Sequence, residues 1–122
     1  MDTEATKIYY QRISDKDIGD CSYCKNYIHE IRETYPELTS FLHTLGVDIE
    51  KPFELMPLEE DAEGYVDYIG EQYIVMGSTI GFKETSIDGV RIRIADSHPA
   101  TSIDDEHFVI EVSPVQLKWV QN

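Results

Sequence analysis

The chain has 122 residues, enough for one domain with its own core, and 41% of them are hydrophobic. Acidic residues number 24 against 10 basic ones, a net charge of −14. That field repels phosphate, and no Lys/Arg cluster is present to displace counterions, so nucleic acid is not an expected partner.

No apolar run approaches the ~20 residues that a membrane span requires. The start, Met1-Asp2-Thr3-Glu4-Ala5-Thr6-Lys7, does not read as a secretory signal. Two cysteines three positions apart cannot staple a fold. The expectation is therefore a cytoplasmic protein, away from membranes, with reduced thiols.

Residues 7–13 read as a short strand or a leading helical turn, and 14–20 as a polar loop. Asp20 suits a helix N-cap, because its carboxylate can accept from the free amides of the first turn. Cys21, Cys24, Ile28, Ile31 and Tyr35 then recur at steps of three and four, one stripe of a helix. Pro36 ends that helix and opens a second, striped by Leu38, Phe41, Leu42 and Leu45. Gly46 follows as a left-handed cap.

Beyond Pro52 the period becomes that of strands. Residues 53–58 alternate, with Pro57 marking an edge or a strand end. Residues 59–64 form an acidic turn. Tyr65 to Met76 is the best long strand, and Gly70 predicts a bulge or a break into two. Asp88-Gly89 predicts a hairpin that pairs Ile87 with Val90, Thr85 with Ile92 and Glu84 with Arg93. Phe82 then falls on the arginine face, so Gly81 hosts a bulge or the register slips. Residues 96–106 are a long polar loop. A last strand runs from His107 to about Val120, and its parity flip at Ser113-Pro114 predicts a bulge or bend.

Cys21 and Cys24 are the one arrangement that could carry chemistry by itself. A thiol at a helix start sees free amides and the positive end of the dipole, which favour thiolate. Asp20 opposes this, and the βαβ setting of a thioredoxin-type site is missing. Zinc needs four ligands, yet no second Cys pair exists, His29 points away from Cys24, and His43, His98 and His107 are scattered. The third reading makes both cysteines small buried hydrophobes at the head of the stripe, and the sequence leans that way. The Glu59–Glu63 run lacks the ordered spacing of a calcium loop. No phosphate-cradling glycine loop or nucleophile elbow is present.

Residues 21–28, Pro36-Glu37-Leu38, Phe41-Leu42, Leu45-Gly46-Val47-Asp48, Lys51-Pro52-Phe53-Glu54, Glu106-His107-Phe108 and Leu117-Lys118-Trp119 resemble small uncharacterised bacterial proteins with a Cys-x-x-Cys amino-terminal helix. The resemblance implies a bacterial, intracellular, single-domain protein and brings no activity with it.

The expected fold over residues 1–122 is a single α+β domain, with an amino-terminal helical pair on one face of an antiparallel sheet built from residues 53–120. Ile28, Ile31, Leu38, Phe41, Leu42 and Leu45 should meet Ile74, Val90, Ile92, Ile94, Ile110 and Val112. The expected function is non-enzymatic binding or protein interaction, through an acidic, tyrosine-rich surface with Tyr65, Tyr68 and Tyr73 as contacts. The partner is a protein or a second copy meeting an edge strand, and no cofactor is expected. The alternative is thiol-redox chemistry or metal binding at Cys21 and Cys24.

Overall fold

The computed structural model describes residues 1–14 and 21–121. Its helices are α1 (Thr3–Arg12), α2 (Ser22–Thr34) and α3 (Pro36–Thr44). The strands are β1 (Tyr65–Tyr68), β2 (Glu71–Met76), β3 (Thr85–Ile87), β4 (Val90–Ile94), β5 (His107–Ser113) and β6 (Val115–Lys118). The helices come first and pack on the strands, an α+β fold.

The amino-terminal segment is neither a strand nor a single turn. It is a ten-residue helix whose N-cap, Asp2, accepts from the Ala5 amide. Pro36 opens α3 as the sequence implies, and Gly46 follows that helix at φ +85°. Asp20 lies outside the described residues; Cys21 caps α2 instead.

In place of one sheet there are two, both antiparallel: β1 paired with β6, and β2-β5-β4-β3. Gly70 separates β1 from β2, and the cis Ser113–Pro114 peptide separates β5 from β6. The breaks face each other, since Tyr68 pairs with Val115 just before them and Glu71 with Val112 just after. The parity flip at Pro114 therefore marks passage between sheets rather than a bulge.

The hairpin keeps its Ile87–Val90 and Thr85–Ile92 pairs, with positive φ at both Asp88 and Gly89. Phe82 lies outside the strands, its ring 5.7 Å from that of Phe108, so the register needs no bulge. The ladder begins at Thr85–Ile92, one step short of the Glu84–Arg93 pair, and the Glu84 carboxylate forms its ion pair with Arg91 at 2.9 Å. Arg93 instead reaches across to Glu111 at 2.7 Å.

β2 is the edge strand of its sheet, yet all six of its residues are buried. Buried edge amides and carbonyls must find partners. Residues 53 and 54 bond to Gln72, the Tyr10 hydroxyl donates to the Ile74 carbonyl at 2.8 Å, and the Met76 amide donates to Thr6 Oγ1 at 3.0 Å. Finally, the Asp2 amide donates to the Met76 carbonyl at 2.8 Å. Helix α1 with its N-cap and residues 53–54 thus close the edge.

The main core joins Tyr27, Ile31, Leu38 and Leu42 to Tyr73, Val75, Val90, Ile92, Ile110 and Val112. Alternate β2 residues face away from it, so Ile74 joins Met76 and Val109 in a smaller cluster against Ala5 and Tyr9. Ile94, expected in the core, is 41% exposed beyond the last β3–β4 pair. Ile28 is half-buried, and Phe41 and Leu45 pack at the rim.

Gly46 is where α1 touches the α3 cap. A Cβ there would stand 2.5 Å from the Thr3 carbonyl oxygen, at a φ that side chains rarely adopt. Replacing Gly46 with Ala should cost about 2 kcal/mol or more in urea unfolding, since strain and clash act together.

Glu71 is fully buried. Its Oε1 accepts from the Gly70 amide, whereas Oε2 has no partner among the described residues. Burial is the main cause that pushes its carboxyl up to about 9, so it is neutral at pH 7. Folding then favours the protonated form. That contribution is complete below about pH 4.5, the ordinary carboxyl value, and is lost progressively as pH rises to about 9. Glu71→Gln should match the parent in urea midpoint near pH 4 and exceed it at pH 8.5.

Candidate functional site

Helix α2 begins where Cys21 leaves the extended conformation, at φ −65° and ψ 158°. Its carbonyl accepts the first intrahelical bond, from the Lys25 amide at 3.0 Å. Its sulfur takes the capping position and accepts from the Cys24 amide at 3.1 Å. The same sulfur is bonded to Cys24 Sγ, the two Cα atoms lying 5.1 Å apart, within the usual span of a disulfide.

Both cysteines were expected in the core, and neither is there. Cys21 is exposed and Cys24 half-buried. The reason is helix phase. The buried face of α2 carries Asn26, Tyr27 and Ile31, not the Cys24–Ile28 line. At ~100° per residue, Cys24 stands about 60° round from Tyr27, and Cys21 precedes the helix altogether. The expectation of reduced thiols is corrected as well, since no free cysteine is left.

Tyr23, between the two cysteines, fastens this turn to three other segments. Its hydroxyl donates to Glu60 Oε2 at 2.7 Å, and its carbonyl accepts from the Tyr68 hydroxyl at 2.6 Å. Its ring lies 4.9 Å from that of Trp119. The bond to Glu60 raises the Tyr23 phenol above its ordinary value and lowers the Glu60 carboxyl below its own. One turn on, the fully buried Asn26 donates to the Lys118 carbonyl at 3.0 Å and accepts from the Val120 amide at 2.9 Å. The disulfide is therefore mounted on a turn held from below.

The proposed tyrosine contacts separate. Tyr65 is 42% exposed, whereas Tyr68 and Tyr73 are completely buried. Tyr65 and Tyr68 are an odd number of residues apart, so one strand must turn them to opposite faces. Tyr73 faces the core, where its hydroxyl donates to the Ile49 carbonyl at 2.8 Å and meets the Tyr27 hydroxyl at 2.5 Å. Odd spacing was the signal that the sequence reading passed over.

A cleft of about 480 Å³ between α1, α3 and residues 46–51 gathers Lys7, Arg32 and Lys51. These cations are already engaged. Arg32 pairs with Glu50 at 2.7 Å, Lys7 stands 3.5 Å from Glu4, and Lys51 donates to the Tyr10 and Ile13 carbonyls that end α1. Among the described residues no group of three or more His, Cys, Asp or Glu could hold a metal ion. No helix among them is long and apolar enough to cross a membrane.

No protein-family model, curated protein or solved structure matches the chain. Function therefore has to be argued from the arrangement at Cys21 and Cys24.

The disulfide closes a loop of only four residues, so loop-closure entropy assigns it about 2 kcal/mol, less than a bridge over a long loop supplies. The Cys21→Ser, Cys24→Ser double variant should stay folded, with serine taking over the N-cap, and lose about 2 kcal/mol or less in urea unfolding.

Proposed function

We propose that Cys21 and Cys24 form a reversible disulfide–dithiol element that exchanges with thiols outside the protein. The observation that carries this is the exposed Cys21 at a helix N-cap, its sulfur receiving the Cys24 amide. A bridge of so short a loop, at the surface, contributes little to the fold, whereas an incoming thiol can reach it.

In the exchange an external thiolate attacks Cys21 Sγ. A new S–S bond forms to Cys21, the Cys21–Cys24 bond breaks, and Cys24 leaves with the electron pair and takes up a proton. A second external thiolate attacks the external sulfur and releases Cys21 as thiolate. The Cys24 amide and the positive end of α2 stabilise the negative charge on Cys21 at that moment. The sum is two external thiols oxidised to one disulfide and two cysteines reduced.

The experiment is reduction of the native protein by dithiothreitol without denaturant, followed by timed alkylation and mass analysis. Reduction should be complete with the circular dichroism of the fold retained, and Cys21 should be alkylated before Cys24. A bridge that resists dithiothreitol until the chain is unfolded would refute the reading.

A second reading, a protein-interaction surface, draws support from Met56, Leu58, Tyr65 and Ile69, which are exposed on residues 56–69. It keeps Tyr65 as a contact and gives up Tyr68 and Tyr73. Interaction with a protein or a second copy stays a proposal of that reading.

A further inference from the structure

We infer that the outward face of the smaller sheet docks a polypeptide segment that carries apolar side chains together with lysine or arginine, a step that rests on the second reading above, that of an interaction surface. The face is built from three segments. In the β1–β6 ladder Tyr65 stands opposite Lys118 and Asp67 opposite Gln116. On the other flank of β1, Pro57 pairs with Tyr68. There the Leu58 amide donates to the Asp67 carbonyl at 2.9 Å, and the Ile69 amide to the Met56 carbonyl at 2.9 Å. That register sets Met56 opposite Ile69 and Leu58 opposite Asp67, with opposed side chains on one face about 5 Å apart.

Strand alternation then separates two sides. Val66, Tyr68, Val115 and Leu117 point into the core and are completely buried. Met56, Leu58, Tyr65 and Ile69 point the other way and are between 42% and 53% exposed. The solvent side of an antiparallel sheet is ordinarily polar. The larger sheet has an apolar outward side too, but it is covered: Ile74, Met76 and Val109 pack against Ala5, Tyr9, Phe53 and Ile103. A contiguous apolar face left uncovered marks a contact surface.

Charge chooses the occupant. Asp67 lies in the middle of the face, half-buried, and its carboxylate forms no ion pair among the described residues. Glu54, two residues before Met56, and Glu59 and Glu60, directly after Leu58, are exposed at the ends of the outer segment. A second copy would bring the same acids and another net charge of −14, so repulsion opposes self-pairing. Strand addition is opposed as well. The hydrogen bonds on either side of the Pro57–Tyr68 pair turn the backbone of position 57 away from β1, and proline has no amide to offer there. The contact is therefore made by side chains: apolar ones against Met56, Leu58 and Ile69, and a lysine or arginine at Asp67.

The test uses the full chain and three short synthetic amphipathic helices that share one leucine face and carry lysine, glutamine or glutamate on the other. Calorimetric titration gives affinities, and amide shifts of the isotope-labelled chain locate the contact. The lysine helix should bind about tenfold tighter than the glutamate helix in low salt, with the advantage shrinking at 0.5 M salt. The shifts should fall on residues 54–69 and 114–118. Met56→Ser combined with Ile69→Ser should weaken the lysine helix about tenfold, whereas Ile80→Ser, at a still more exposed isoleucine, should not. Asp67→Asn should cut the lysine advantage about threefold, the effect of one nearby charge in water. Asp104→Asn makes the same change in net charge on the loop before β5 and should leave the advantage intact. Binding that ignores the serine variants, or equal effects of the two asparagine variants, would reduce the attraction to the overall charge and overturn the inference. Equal binding of the three helices, or a dimer of the chain abolished by the serine variants, would overturn the basic partner and keep the interaction reading. No binding by any helix, with the chain monomeric, would overturn both.

Discussion

Tyrosine hydroxyls tie the helices to the strands, and the rest of the structure depends on those ties. Tyr10 of α1 donates to a β2 carbonyl. Tyr27 of α2 meets Tyr73 of β2, which in turn donates to the Ile49 carbonyl in the loop after α3. Tyr68 of β1 donates to α2 at Tyr23. At the other end of α2, the Tyr35 hydroxyl accepts from the Gln116 amide of β6. A buried phenol left without a partner would be costly, so each ring both fills volume and fixes its helix in register. Composition suggested a wet tyrosine surface, but the hydroxyls are used inward.

The turn that carries the disulfide is held by contacts of the same kind. Tyr23 and Asn26 hold the start of α2 to β6 and to residues 60–64, through hydrogen bonds that do not involve sulfur. The covalent bridge spans only the first turn. Burial of the whole of β2 adds a second constraint, since Glu71 lies in the interior with one oxygen unpartnered among the described residues. A carboxyl kept neutral by burial is compatible with a core of phenols, whereas an ionised one is not.

Local chemistry made part of the fold legible. Asp88-Gly89 specifies its hairpin because both positions need positive φ, and the strand pairs follow from the turn. Pro36 and Gly46 mark helix ends for equally local reasons. The breaks at Gly70 and Pro114 were visible too, but not that they face each other, because pairing between distant strands leaves no trace in either segment. The phase of α2 was misjudged. Cys21, Cys24, Ile28, Ile31 and Tyr35 fit one stripe and Tyr23, Tyr27 and Ile31 another; they share the buried Ile31, and only the partners waiting across the core choose between the rest.

For the candidate site the division is the same. The residues themselves determined a cysteine pair at a helix start, an acidic turn and a tyrosine-rich chain, because those are matters of composition and near-neighbour spacing. Tertiary structure alone decided that Cys21 is exposed and Cys24 half-buried, that two of three chosen tyrosines face inward, and that Trp119 and Glu60 meet at Tyr23. Burial is a property of what the rest of the chain lays over a residue, and periodicity can name two faces of an element without saying which one will be covered.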